Sequence, residues 1–139
     1  MWADRLLEAG LATPEVFGYM EMSKYGLRQC SYLFTEYLVG TDFAEALRDA
    51  CDEDERGRLS RAVDEMVNAL EHKRILHNDL KPPNVMIADG RPYLIDLDSM
   101  RRTTFLTASL DKGKDRCHLV RKLARQGVVT DDQFNLIDN

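Results

Sequence analysis

The sequence predicts one α+β domain, on three observations. Apolar residues recur at helical spacing between about Asp54 and Lys73, two pairs of short apolar runs each fold back around a glycine, and the composition is that of an ordinary globular chain. The 139 residues are 44% hydrophobic and 31% charged, which at this length favours a single core. Such a chain buries roughly two thirds of its extended surface, so neither metals nor disulfides are needed to hold it together. A formal charge of -5 argues against general attraction to nucleic acid or anionic lipid, while leaving room for a local basic patch. Cys30, Cys51 and Cys117 are odd in number and far apart, so they suggest neither a disulfide framework nor a close-spaced metal knuckle. No segment approaches the roughly 20 apolar residues that cross a bilayer. The expectation is a soluble chain in a reducing compartment, the cytoplasm.

The elements follow in order. Trp2, Leu6 and Leu7 have helical spacing and stop at Gly10, and Pro14 breaks the connection that follows. Val16 to Met22 and Ser31 to Leu38 read as an antiparallel pair around Gly26, the second strand carrying Tyr32, Phe34 and Tyr37. Thr41 is placed to cap a short helix over Asp42 to Ala50. The acidic run Asp-Ala-Cys-Asp-Glu-Asp-Glu from Asp49 reads as a helix boundary, where negative charge favours the N-terminus; a cation site is the alternative. Leu59, Val63, Met66, Val67 and Leu70 then draw one stripe along a helix of about 30 Å. Lys73 and Arg74 suit its negative end, and His72 reads as a capping or surface residue there. Asn84 to Ala88 and Pro92 to Leu97 form a hairpin turning at Asp89, Gly90 and Arg91. Residues 101 to 111 read as a polar connection, and Lys114 to Gln126 as a helix with a stripe of Cys117, Val120, Leu123 and Ala124. The tail to Asn139 offers one further turn or short helix.

Chemistry concentrates between His77 and Asp98. Asp79 and Asn84 stand at one end of the hairpin and Asp96 and Asp98 at the other, so folding over Gly90 brings hard oxygen donors together. Carboxylate and amide oxygens suit Mg²⁺, which is commonly held by one or two protein carboxylates together with substrate phosphates.

The run His-Asn-Asp-Leu-Lys-Pro-Pro-Asn from His77, followed after eleven residues by Asp-Leu-Asp from Asp96, resembles the catalytic loop and metal-binding motif of the protein-kinase-like superfamily. With their flanks, residues 74 to 87 and 92 to 100, the two motifs are similar more particularly to bacterial lipopolysaccharide kinases. The resemblance implies a partial kinase-like fold, with residues 1 to 38 as a residual N-lobe, residues 1 to 10 resembling the end of its helix and 16 to 38 its last two strands, and residues 39 to 139 as a minimal, mainly helical C-lobe carrying the catalytic hairpin. It implies ATP and Mg²⁺ as cofactors and transfer of the γ-phosphate to a sugar hydroxyl. A sugar or lipid-linked sugar would be the acceptor, with a peripheral location at the inner membrane if the acceptor is lipid-linked.

In that frame Asp79 orients the acceptor hydroxyl, Lys81 meets the travelling phosphoryl group, and Asn84 and Asp96 hold the metal, the last three also contacting the nucleotide. Asp98 stands where the common magnesium motif has glycine and reads either as a further metal contact or as a local capping residue. His77 reads as scaffold. Asp115 reads as a brace for the catalytic-loop backbone, or as simple stabilisation of a helix N-terminus. Asn78 replaces the arginine often found before the catalytic aspartate, which argues against control by a phosphorylated activation loop. The segment from Ser99 to Lys114 is short and lacks an Ala-Pro-Glu motif, favouring a small acceptor over a protein. Arg101, Arg102, Lys112, Lys114 and Arg116 form a basic patch, readable as solvated surface or as a contact for ATP, a phosphorylated sugar or a headgroup. Thr103 and Thr104 read as plain loop residues.

No glycine-rich loop, strand lysine or paired helix glutamate precedes the first hairpin; Glu8 lies too near Gly10 to be that glutamate. The chain is therefore expected to be truncated, split or naturally minimal. Activity after assembly with a separate N-lobe or in a homo-oligomer, a nucleotide-binding or regulatory pseudokinase role, and a kinase acting on another small molecule or protein all remain open.

Overall fold

The computed structural model describes residues 1–104 and 107–129, the side chains of Arg28 and Ala108 excepted. Helix α1 (Trp2–Glu8) buries Ala3 and Leu6. The chain beyond it is stitched to a distant strand: the Leu94 amide donates to the Ala12 carbonyl at 2.9 Å, and the buried Thr13 hydroxyl donates to the Leu94 carbonyl at 2.8 Å.

Strands β1 (Val16–Lys24) and β2 (Leu27–Thr35) form an antiparallel pair. Its turn is Tyr25–Gly26, with φ of +55° and +76°, a two-residue turn whose twist matches that of the strands. That turn corrects the expected boundaries. Pairing resumes at Leu27, immediately after Gly26, so β2 begins four residues before Ser31 and ends at Thr35. Tyr37, expected within it, lies beyond the strand and is 87% exposed. The pair is also more exposed than its aromatic content suggested: Phe17, Tyr19, Met20, Met22, Leu27, Tyr32, Leu33 and Phe34 are 45% to 69% exposed.

At Gly40 the backbone passes so close to Ile87 that a Cβ would run into the Ile87 carbonyl. Thr41 then pairs with Ile87 in the two-residue strand β3 (Thr41–Asp42). This pairing displaces the expected cap. With Thr41 held in the sheet, Asp42 caps α2 (Phe43–Asp49), its carboxylate accepting the Glu45 amide at 3.0 Å. Asp52 caps α3 (Glu53–His72) in the same way through the Glu55 amide at 2.7 Å, so the acidic run is a helix boundary. All five residues of the α3 stripe are buried. His72 lies exposed on its last turn, with Nδ1 2.8 Å from the Asn68 carbonyl.

Strand β4 (Ile75–Leu76) pairs antiparallel with β7 (Arg101–Arg102), inside the segment expected to be a plain connection. Strands β5 (Val85–Ala88) and β6 (Arg91–Leu94) make the hairpin and, with β3, a three-stranded antiparallel sheet in the order β3, β5, β6. β6 ends at Leu94 rather than Leu97, because Asp96 adopts the left-handed conformation (φ 57°, ψ 64°), which leaves the pairing direction.

After α4 (Ala108–Asp111), helix α5 (Lys114–Arg125) buries Asp115, Leu119, Val120 and Leu123. Cys117, expected in its stripe, is exposed. Asp115 faces inward toward the chain after β4, and a residue two positions on lies about 200° around the helix. The core joins α2, α3, α5 and the three-stranded sheet through Phe43, Leu47, Val63, Leu70, Leu80, Val85, Leu94 and Leu123. Among the described residues no helix is long and apolar enough to cross a membrane. The turn or helix expected in the tail lies outside the described residues.

Candidate functional site

The loop after β4 is held from both sides. His77 is fully buried; its Nε2 lies 3.2 Å from the Ile95 carbonyl, which can only accept, so Nε2 carries the ring proton. Nδ1 is buried without a hydrogen-bond partner. From the other side, Asp115 on α5 accepts the His77 amide at 2.6 Å and the Asn78 amide at 2.9 Å, one on each carboxylate oxygen. Burial pushes the Asp115 carboxyl above its ordinary value, opposed by those two amides. Asn78 sits at φ +68°, turning the chain outward toward Asp79. Leu80 follows with no exposure at all, so the loop is pinned by a side chain between Asp79 and Lys81.

Asp79 and Lys81 form an ion pair at 2.6 Å, each side chain 34% exposed. The Lys81 hydrogen bond is the main cause holding the Asp79 carboxyl below its ordinary value, and the Asp79 hydrogen bond raises Lys81 in return. The Pro82–Asn84 3-10 turn brings Asn84 back under Asp79: its Nδ2 donates to the Asp79 carbonyl at 2.9 Å and approaches the Asp79 carboxylate at 3.4 Å. The Ile95 amide donates to the Asn84 carbonyl at 3.0 Å. Ile95 thus holds His77 through its carbonyl and Asn84 through its amide, and the next residue is Asp96. Its charge acts on Lys81, raising the ammonium further.

The fold therefore gathers Asp79, Lys81, Asn84 and Asp96 at one end of the β5–β6 hairpin. Asp98 lies exposed in the 3-10 turn Leu97–Ser99 with no hydrogen bond tying it to that group. Among the described residues no three His, Cys, Asp or Glu side chains gather as a metal site. An amide and a carboxylate do fit Mg²⁺. With Nδ2 of Asn84 spent on the Asp79 carbonyl, its Oδ1 is the remaining donor, and together with Asp96 it offers two hard oxygens to an ion that takes others from phosphate and water.

The basic patch is largely paired. Arg101 and Lys114 both meet Asp111 Oδ1, at 2.9 and 2.6 Å, and Arg116 pairs with Asp64 and with Asn68. The carboxylate that organises this patch was not singled out in the sequence. Asp111 is buried at 4% exposure, and the Lys114 hydrogen bond, then Arg101, holds its carboxyl low against the opposing effect of burial. A cavity of about 440 Å³ lined by Glu71, Arg74, Thr103, Asp111 and Lys112 lies on this side and includes none of Asp79, Lys81, Asn84 or Asp96.

Residues 7–110 match the protein kinase domain. The chain belongs to the protein kinase domain family. No curated protein matches it significantly. Among solved structures, it is similar to a chain of the yeast RNA Pol II CTD kinase CTDK-1 complex, with 18% identity and a TM-score of 0.49 over 68% of this chain and 31% of that one. This kinase domain thus spans less than a third of that chain, and its family assignment rests on the domain match. The α+β architecture, with N-terminal strands and a largely helical remainder, accords with part of a kinase fold.

Proposed function

We propose that this kinase-domain protein is an ATP- and Mg²⁺-dependent phosphotransferase resembling lipopolysaccharide kinases, with a sugar hydroxyl as acceptor. The observation that carries the reading is the grouping of Asp79, Lys81, Asn84 and Asp96 around the Ile95 backbone. In this reading Asn84 and Asp96 hold the cation, which offsets charge on the phosphates. Asp79 accepts the hydrogen bond of the acceptor hydroxyl and takes its proton as the new P–O bond forms and the bond to ADP breaks. The ion pair suggests how that is timed. While Lys81 sits on Asp79 the carboxylate is a poor base; when Lys81 turns to a phosphate, its main cause of low basicity leaves with it. His77 and Asp115 support the loop without touching substrate.

The short Ser99 to Lys114 connection supports a small acceptor, including a lipid-linked sugar reached from the inner-membrane surface. The division into a residual N-lobe, residues 1 to 38, and a minimal C-lobe, residues 39 to 139, belongs to this reading. The exposed apolar faces of β1–β2 support assembly with a separate N-lobe segment or a second copy. A nucleotide-binding or regulatory role without turnover is the second reading, favoured by the closed Asp79–Lys81 pair. Calorimetric titration with ATP, with and without Mg²⁺ and with Asp96→Asn as control, tests both, followed by phosphate transfer to sugar acceptors with Asp79→Asn as control. Mg²⁺-dependent binding lost in Asp96→Asn, with transfer lost in Asp79→Asn, is expected. Binding without transfer selects the second reading, and a folded chain that binds no ATP overturns a self-sufficient kinase.

A further inference from the structure

The cavity of about 440 Å³ lined by residues from the end of α3, the β4–β7 pair and α4 has no part in the reading above. Its walls are fixed by hydrogen bonds between segments far apart in sequence. Ile75 and Leu76, buried where β4 pairs with β7, supply an apolar floor. The Thr103 amide donates to the Arg74 carbonyl at 2.9 Å, and the Gly113 amide donates to Glu71 Oε1 at 3.1 Å. Asp111, buried at 4% exposure, closes one side. Arg101 and Lys114 both take its Oδ1, and neither lines the cavity, so Oδ2 is the oxygen left to the cavity side. The Thr107 hydroxyl is near enough to favour the charged carboxylate but is shared with Thr104 at 3.1 Å, and Oδ2 is buried with no hydrogen-bond partner. A buried acceptor left in that state is costly. Two further lining residues, Arg74 and Lys112, are exposed cations with no carboxylate partner among the described residues. Arg74 also holds a φ of +56° just after α3, a position where glycine is the ordinary residue.

We infer that this cavity binds a sugar phosphate, with the phosphate between Arg74 and Lys112 and a sugar hydroxyl donating to Asp111 Oδ2. Each part of the ligand answers a group on the wall. Two unpaired cations suit a doubly charged phosphate better than a single carboxylate, and Arg74 offers a fork of N–H donors to two phosphate oxygens. The donor for Oδ2 has to be neutral, because the Asp111 charge is already met by Arg101 and Lys114 and a third cation would be repelled by those two. That favours a hydroxyl over an ammonium. Ile75 and Leu76 suit the C–H face of a sugar ring, and Glu71, which bonds the Gly113 amide through Oε1, has a second oxygen for another hydroxyl. The volume lies in the range of small-molecule sites. None of Asp79, Lys81, Asn84 and Asp96 lines the cavity, so this site is separate from the proposed phosphotransfer residues and stands without that reading.

The test needs neither ATP nor Mg²⁺. Amide-resolved NMR titration of the full chain compares glucose 6-phosphate with glucose, which lacks the anion, and with propyl phosphate, which lacks the hydroxyls. Glucose 6-phosphate is expected to shift the Leu76, Thr103 and Lys112 amides and to bind about tenfold more tightly than either of the other two, since each of them forgoes a hydrogen bond to a charged group. Lys112→Ala and Arg74→Gly are expected to weaken it by about tenfold each; Lys112 is exposed and glycine suits the positive φ at residue 74, so both variants keep the fold. Asp96→Asn is expected to bind it as the native protein does. Propyl phosphate bound as tightly as glucose 6-phosphate removes the Asp111 contact, and glucose bound as tightly removes the two cations. Shifts centred on Asp79, Asn84 and Asp96, with binding lost in Asp96→Asn, move the ligand to those residues. Each of these results overturns the inference, as does a folded chain that binds no glucose 6-phosphate.

Discussion

The loop from His77 to Asn84 and the β1–β2 hairpin lie in one short chain yet are stabilised in opposite ways. The loop is irregular, but His77, Leu80 and Asn84 are buried and its polar groups are tied to residues far away in sequence, Ile95 and Asp115. The hairpin is paired along nine-residue strands, with register shifts between Val16 and Gly18 and between Met22 and Ser23, but most of its large apolar side chains face solvent. Extensive strand pairing therefore does not mark the firm part of this protein. A lone two-stranded hairpin is marginally stable in water, whereas buried contacts with long-range partners share in the cooperative core.

Removing the Asp115 carboxylate should break that contrast most severely. Asp115→Ala leaves two loop amides without acceptors, at a cost of about 3 kcal/mol, whereas Phe17→Ser on the hairpin should stay within about 0.5 kcal/mol. Urea denaturation of the two variants checks this; equal midpoints would mean that the hairpin shares the core's stability.

A smaller effect is expected from pH. Asp111 has its native pKa below the ordinary 3.8, so its ion pairs with Lys114 and Arg101 contribute above that value and are lost as pH falls through the depressed native one. Thermal melts from pH 5 to pH 2 should therefore show a steeper loss in the native protein than in Asp111→Asn. Parallel curves would place this cluster outside the cooperative unit.

The least effect, and the one that most sharpens the comparison, concerns the hairpin turn. Tyr25 occupies a φ of +55° beside Gly26, a position asparagine adopts more readily. Tyr25→Asn should stabilise the hairpin by about 0.5 kcal/mol, visible as slower amide exchange in β1 and β2, with the global melt unchanged. A shifted melt would show that the hairpin unfolds together with the core.

Much of the candidate site was legible because its residues lie close in sequence. Asp79, Lys81 and Asn84 fall within six residues, and the Asp89–Gly90 turn dictates that Asp96 returns toward them. The partners that hold them were less legible. Asp115 was readable only through the family resemblance, and Asp111 was not singled out, because nothing in its local spacing shows which distant chain it faces.

By itself, the sequence determined the features that depend on near neighbours: the α3 stripe, the acidic helix boundary, the existence of both hairpins and the spacing of the loop motif. These follow from helical and strand periodicity and from turn chemistry, which act over a few residues. Only the tertiary structure decided the rotation of α5 that buries Asp115 and exposes Cys117, the pairing of β4 with β7, the transfer of the α2 cap from Thr41 to Asp42, and the exposure of the first hairpin. Each depends on which remote surface is available to satisfy a buried polar group or cover an apolar one, and that surface exists only once the chain has folded.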